Sequence, residues 1–151
     1  MRISARADYA VRAAVELAAA GEGPTKGEAI ARAQSIPLKF LENILGDLRQ
    51  ARLVRSQRGA EGGYWLARPA DEITVADVMR AVDGPLVGIR GERPEDVEYG
   101  GAAESLQTVW IALRANLRAV VERTTIADLA SGKLPAEVKR LAKDPEAWQT
   151  R

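Results

Sequence analysis

The chain has 151 residues, 46% of them hydrophobic and 28% charged, with a formal net charge of +1. That length fits one domain with an appendage, and its apolar share is ample for a core built mostly of Ala, Leu, Val and Ile. Cysteine and histidine are both absent, which excludes disulfides, thiolate-held clusters, zinc fingers and catalysis by Cys or His.

The charge is spread unevenly. Residues 1–68 hold 11 Lys and Arg against 7 Asp and Glu, whereas residues 69–151 hold 11 against 14. A basic front half and an acidic back half suit a nucleic-acid head on a protein-facing body. No signal-like or membrane-length apolar run is present, so the expectation is a cytoplasmic protein without membrane contact.

Residues 1–21 read as the first helix. Ser4 is its cap, Asp8 suits the early turns through the helix dipole, and Val11, Ala14, Leu17 and Ala18 form an inner stripe. Arg2, Arg6 and Arg12 face outward, either as solvated side chains or within reach of phosphates. The run Gly21-Glu22-Gly23-Pro24 ends the helix.

A second helix is expected over 25–34, capped by Thr25 with Glu28 at the capping-box position. Its free N–H groups together with Lys26 make a phosphate clamp. The third helix follows, with Ser35 as cap and Pro37 in its first turn. Leu38, Leu41, Ile44, Leu45 and Leu48 share one face by their three- and four-residue spacing. Lys39, Asn43, Gly46 and Gln50 lie opposite, with Glu42 and Asp47 at the margins. Lys, Asn, Gln and Glu carry the donors and acceptors that read base edges. Gly46 costs about 1 kcal/mol relative to Ala in mid-helix, which suggests that something packs close to the backbone there.

Residues 53–58 and 64–68 read as two short strands joined through Gly59, Gly62 and Gly63. Arg52, Arg55, Arg58 and Arg68 flank the turn and make the hairpin tip a basic finger. A helix followed by a basic hairpin is the order of a winged helix-turn-helix, with the helix in a major groove and the wing on the backbone or in the minor groove.

These residues carry a resemblance. The stretch Phe40-Leu41-Glu42-Asn43-Ile44-Leu45, Leu48-Arg49, Leu53-Val54, Arg58-Gly59 and Gly62-Gly63-Tyr64 closely resembles the winged-helix regulators of the bacterial Rrf2 family. The likeness extends through residues 6–17 upstream and Asp83-Gly84-Pro85 downstream. It implies a mainly α fold with a small β-wing, a winged helix-turn-helix domain plus a long dimerisation helix.

A capped helix over 74–83 follows the wing, with Asp77 three residues after Thr74. Val75, Val78, Met79 and Val82 form its apolar face. Residues 86–101 have no period and four acidic side chains, Glu92, Glu95, Asp96 and Glu98. They read as a solvated acidic loop, with divalent-cation binding the alternative. In cluster-binding members of the resembled family, three cysteines of this region hold iron and sulfur. Here all three are missing, and Asp8 alone, the counterpart of a carboxylate ligand in some relatives, cannot hold a cluster. No cofactor and no metal are expected.

The longest helix is expected over 102–125. Leu106, Trp110, Leu113, Leu117, Val120 and Thr124 follow a heptad rhythm, widened by Val109 and Val121. The seam suits pairing with an identical helix rather than packing on its own domain, and the resemblance implies the same. A short helical turn over 125–131 and a polar tail over 133–151 complete the chain. Val138, Leu141 and Trp148 can dock that tail or leave it to fray. The expected divisions are thus 1–84, a loop at 85–101, 102–132 for dimerisation, and the tail 133–151.

The resulting expectation is a homodimeric regulator that binds double-stranded DNA, most simply as a repressor. Its contacts would come from Thr25, Lys26, Lys39, Phe40, Glu42, Asn43, Arg49, Ser56, Arg58 and Gly59, with Leu106, Trp110, Leu113, Leu117 and Val120 at the dimer seam. Asn43 pairs with adenine, Lys39 donates to guanine and Glu42 accepts from cytosine in this reading. Glu61 at the wing tip fits poorly, because it would face phosphates. Without cysteine, sensing resembles that of the cysteine-metabolism repressor branch, through a small molecule or a partner protein. Tyr99 and Trp110 would line such an effector pocket, although core packing is the other reading of Trp110. The rival is a protein-binding adaptor using the winged helix and the seam. An enzyme is not expected, because no spaced carboxylate or Ser/Lys pair is present.

Overall fold

The computed structural model describes residues 1–151. Seven α-helices and one two-stranded sheet follow in the order α1 (Ala5–Ala20), α2 (Gly27–Gln34), α3 (Leu38–Gln50), β1 (Val54–Gln57), β2 (Gly63–Leu66), α4 (Val75–Asp83), α5 (Leu106–Val121), α6 (Ile126–Ser131) and α7 (Ala136–Ala142). Short 3-10 turns lie at Ala70–Glu72, Pro94–Asp96, Gly101–Ala103 and Pro145–Trp148.

The helix α1 is the centre of the head. Ser4 caps it by accepting the Ala7 N–H at 2.9 Å. Its buried face is Ala7, Ala10, Ala13, Ala14 and Leu17, one row round from the expected stripe, with Val11 and Ala18 only partly covered. Small alanine side chains let neighbouring helices approach closely, and α2, α3, α4 and α6 all pack on α1. Arg6 and Arg12 are not free for phosphate. Arg6 pairs with Asp47 of α3, and Arg12 donates to the Gln34 carbonyl at 2.7 Å and pairs with Asp8 at 3.1 Å. Both arginines therefore tie α1 to the helix-turn-helix.

Two caps differ from expectation. Thr25 does not cap α2: its extended backbone forms a bridge with Tyr64, exchanging hydrogen bonds of 2.8 Å in each direction. Lys26 occupies the cap position, and no side chain caps the helix. Ser35 does not cap α3 but ends α2 in the left-handed region (φ 52), and Pro37 stands at the cap of α3. The left-handed residue makes the sharp turn between the two helices.

The wing is antiparallel, with Val54 opposite Leu66, Arg55 opposite Trp65, Ser56 opposite Tyr64 and Gln57 opposite Gly63. Thr25 adds a third row on the far edge of β2. Glycine is required where these rows meet. A Cβ at Gly63 would lie 2.6 Å from the Thr25 carbonyl oxygen, and one at Gly62 would run into the Gln57 carbonyl.

Beyond the wing, Thr74 and Asp77 form the expected capping box of α4. A second box, Thr125 with Asp128, opens α6. The two cap threonines pair in an antiparallel bridge, with the Val75 N–H on the Thr124 carbonyl and the Ile126 N–H on the Ile73 carbonyl, both 2.9 Å. This seam carries Ile126 into the same core as Ile30, Leu41, Ile44, Leu45, Leu48, Ile73 and Val78. The helix α6 thus completes the head, although it lies in the expected dimerisation segment. Thr124 is buried at 5% exposure and leaves the expected seam, because α5 has already ended at Val121.

The long helix α5 contributes no buried residue. One side rests on the chain's own 94–99 segment. Gln107 donates to the Val97 carbonyl at 2.7 Å, Trp110 donates to the Tyr99 hydroxyl at 3.0 Å, and Arg114 pairs with Glu95. The 86–101 segment is therefore anchored, with Pro94 and Val97 buried, rather than a free acidic loop. The tail is partly helical: α7 and its following turn contact each other, the Trp148 indole donating to the Ala142 carbonyl at 2.6 Å, while Leu141 and Trp148 remain exposed.

Candidate nucleic-acid interface

Helix α3 buries Leu41, Ile44, Leu45 and Leu48 against the head. Its opposite face leaves Lys39, Glu42, Asn43, Arg49 and Gln50 exposed. Gly46 sits in the middle of that face, and apart from its own stretch of helix backbone nothing lies within 4 Å of where its Cβ would be. The expected close packing at Gly46 is thus not supplied by this chain.

Phe40 is 42% exposed, but its ring meets Tyr9 edge-on, with centroids 5.8 Å apart. The Arg12 guanidinium stacks over the other partner, 4.8 Å from the Tyr9 centroid. Phe40 therefore anchors the start of α3 to α1 as well as bordering the exposed face.

Two side-chain hydrogen bonds join the helices to the wing. Lys26 at the start of α2 donates to the Gly59 carbonyl at 2.9 Å, and Arg49 of α3 donates to the Ser56 hydroxyl at 3.2 Å. A groove of about 370 Å³ runs between them, lined by Lys26, Glu28, Glu42, Arg49, Arg58 and Gly59 among others. The uncapped start of α2 opens onto it, so its backbone N–H groups and the Lys26 ammonium share one wall. Thr25 stands behind this wall, half-buried and fixed by its backbone to Tyr64.

Of the expected basic finger, only Arg58 lies at the hairpin tip. Arg52, Arg55 and Arg68 gather with Arg49 on the side of the wing, around Trp65. The signal for that grouping was the strand register, which sets Arg55 opposite Trp65. The Lys26–Gly59 link had no signature in the sequence, because it joins a side chain to a turn carbonyl.

Tyr99 and Trp110, the aromatics expected to line an effector pocket, are brought together by a hydrogen bond, the Trp110 indole donating to the Tyr99 hydroxyl at 3.0 Å. The cavity between the 85–95 region and α5 measures about 170 Å³ and is lined by Arg80, Pro85, Leu86, Glu95, Arg114 and Arg118, among others. Within it Arg80 pairs with Glu122 and Arg114 with Glu95. The Glu95 carboxyl is held below the usual carboxylate range by its own backbone N–H and by Arg114. Asp96 is engaged by Arg93 at 2.9 Å, and no three acidic side chains converge as metal ligands.

A polar probe helix presented by a helix-turn-helix and braced against a two-stranded hairpin defines a winged helix-turn-helix protein. No helix is long and apolar enough to cross a membrane. Residues 3–132 match the model of the Rrf2 family, described as an iron-dependent transcriptional regulator. An HTH-type transcriptional regulator of Mycobacterium tuberculosis is 52% identical over 151 residues, covering 99% of this chain and 94% of that protein. The HTH-type regulator CymR of Bacillus subtilis is 38% identical over 132 residues, 87% of this chain and 91% of that protein. The structure of CymR, the global cysteine regulator of B. subtilis, superposes with a TM-score of 0.74 at 34% identity, over 88% of this chain and 98% of that one. The structure of IscR from T. potens superposes at 0.68 with 30% identity, over 100% and 93%. The chain belongs to the Rrf2 family and is a DNA-binding transcription regulator.

Proposed function

We propose that the protein is a homodimeric repressor that reads DNA through α3 and the wing and works without an iron–sulfur cluster. One observation carries the reading. The polar face of α3 is exposed from Lys39 to Gln50 and is linked to the wing by the Arg49–Ser56 hydrogen bond, with Lys26 and the open start of α2 alongside. In the major groove, Lys39 and Asn43 present donors to guanine and adenine, and Glu42 accepts from cytosine. Arg58 at the wing tip lies against the minor groove or a phosphate, and Lys26 holds a backbone phosphate. The empty space at Gly46 suits close approach of the duplex.

Pairing is supported by α5. None of its residues is fully buried within one chain, and Val109 and Leu113, on one side of the helix, are 54% and 38% exposed. Leu106, Leu117 and Val120 extend the same apolar side, while Trp110 turns toward Tyr99 at its margin. A two-fold pair of such helices places two α3 probes on one side of a duplex, about 10 base pairs or a multiple apart.

The family description names iron, but this donor set does not fit an iron–sulfur cluster. The sequence has no Cys and no His, and the Glu95 and Asp96 carboxylates are taken by arginines. Sensing then passes through a small molecule or a partner protein. The exposed apolar face of α5 also suits an adaptor that binds another protein instead of DNA, and salt separates the two readings. Affinity for its own upstream DNA, measured by footprinting across ionic strengths, falls steeply with salt for a DNA binder. Purified protein that ignores every duplex at low salt, in a random-sequence selection, sinks the DNA reading.

A further inference from the structure

We propose that the cleft formed by Arg49, Arg52, Arg55 and Arg68 around Trp65 is an oxyanion site of the phosphate class. The cleft measures about 520 Å³, and no Asp or Glu lines it. Arg52 and Arg55 make no ion pair within the chain. Arg49 is engaged only by the Ser56 hydroxyl, and Arg68 only by Asp77 at the long distance of 3.9 Å. Four arginines line one cleft with little of their charge paired inside the chain, and a bound anion relieves their mutual repulsion. Guanidinium forks match the geometry of phosphate oxygens.

Helix-end electrostatics account for part of the cluster only. Arg49 lies in the last turn of α3, where a cation is favourable. Arg55 and Arg68 belong to the hairpin and its exit, and no helix end favours them. Arg52 is held at φ 61, in the left-handed region where glycine is at ease and other side chains are strained. That conformation closes α3, with the Leu53 N–H on the Leu48 carbonyl at 2.9 Å, and carries Arg52 to the wing side of the helix end. Trp65, opposite Arg55 in the hairpin, gives the cleft an apolar wall.

The phosphate has two sources. One is the backbone of the bound duplex, since Arg49 and Ser56 also line the groove beside α3, so a strand leaving that groove meets the cleft directly. This source rests on the DNA-binding reading. The other is a free phosphate compound, which does not.

Two arms distinguish them, both on the full chain and on the Arg52→Gln/Arg55→Gln double variant. Both arginines are exposed, so the variant is expected to keep its fold, which thermal melting checks. In the first arm, inorganic pyrophosphate is titrated while tryptophan fluorescence is read, with Trp65→Phe leaving Trp110 and Trp148 as internal controls. A saturable change lost in both Trp65→Phe and the double variant assigns the cleft to a free phosphate compound. In the second arm, the slope of log affinity for duplex DNA against log salt is compared. A slope shallower by about 2 in the double variant assigns the cleft to the duplex backbone. A wild-type protein that binds DNA, with an unchanged slope in the double variant and no response to pyrophosphate, overturns the cleft and leaves the DNA reading standing. A protein that ignores duplex DNA but shows the lost response in the first arm overturns the DNA reading alone.

Discussion

Thr25 and Tyr64 exchange two backbone hydrogen bonds of 2.8 Å, and through them the start of α2 is stitched to the wing. The stitch depends on Gly63, whose absent side chain lets the Thr25 carbonyl approach. Gly63→Ala is therefore expected to push the two rows apart and destabilise the fold by about 1–3 kcal/mol, as overpacking does elsewhere. It also loosens the wing from Lys26, so DNA affinity falls more than stability alone explains. Thermal melting and a binding titration, run on the folded fraction, check both effects. A variant with wild-type melting temperature and affinity means the stitch is dispensable.

Much of this architecture is legible in the residues. The leucine spacing of α3, the Ser4 cap and the Thr74-x-x-Asp77 box are local signals, and local signals need no knowledge of what lies across the fold. Thr25 and Ser35 were misleading for the same reason. Both are good capping types, but their backbones are taken by a cross-chain bridge and by a left-handed turn. The grouping of Arg52, Arg55 and Arg68 beside Trp65, rather than at the hairpin tip, depends on strand register. The Trp110–Tyr99 bond depends on how the 86–101 segment folds back, and that segment has no period to read.

The paired capping boxes offer a second test. Thr74 and Thr125 each accept an N–H three residues on, at 3.0 Å, and also lie side by side in the bridge that brings α6 under α1. Loss of a cap threonine costs about 1 kcal/mol on average. Thr74→Ala and Thr125→Ala are each expected to cost that much in urea unfolding. The double variant is expected to depart from the sum of the two, because neighbouring sites that share a bridge are coupled. Strict additivity counts against the bridge as a cooperative unit.

Gly46 separates stability from function. Alanine at a mid-helix glycine stabilises by about 1 kcal/mol, and here no neighbour stands within 4 Å to oppose it. Gly46→Ala is expected to raise the melting temperature and to lower DNA affinity, since the added methyl occupies the centre of the probe face. A variant that is more stable and binds DNA as before shows that the duplex does not approach there.

Arg58 is the only arginine at the wing tip, and it is exposed. Arg58→Ala is expected to weaken binding by roughly tenfold at fixed salt, about 1.4 kcal/mol and within the range of a single arginine contact. Its stability is expected to match wild type, because the side chain supports nothing in the fold. Equal affinity removes Arg58 from the interface.

Leu113 tests the pairing of α5. No residue of the helix is fully buried within its own chain, while Gln107, Trp110 and Arg114 hold its other side to the 94–99 segment. In an isologous interface each side chain near the two-fold axis meets its own copy or a close neighbour. Leu113→Asp then sets two carboxylates against each other in an apolar seam, where burial of unpaired charge costs several kcal/mol. The head keeps its core, because the core draws no residue from α5. The expected product is a folded monomer by sedimentation velocity, with α3 still able to contact a half-site and affinity for a two-half-site duplex reduced at least a hundredfold. A dimer that persists at micromolar concentration places the seam elsewhere on the molecule.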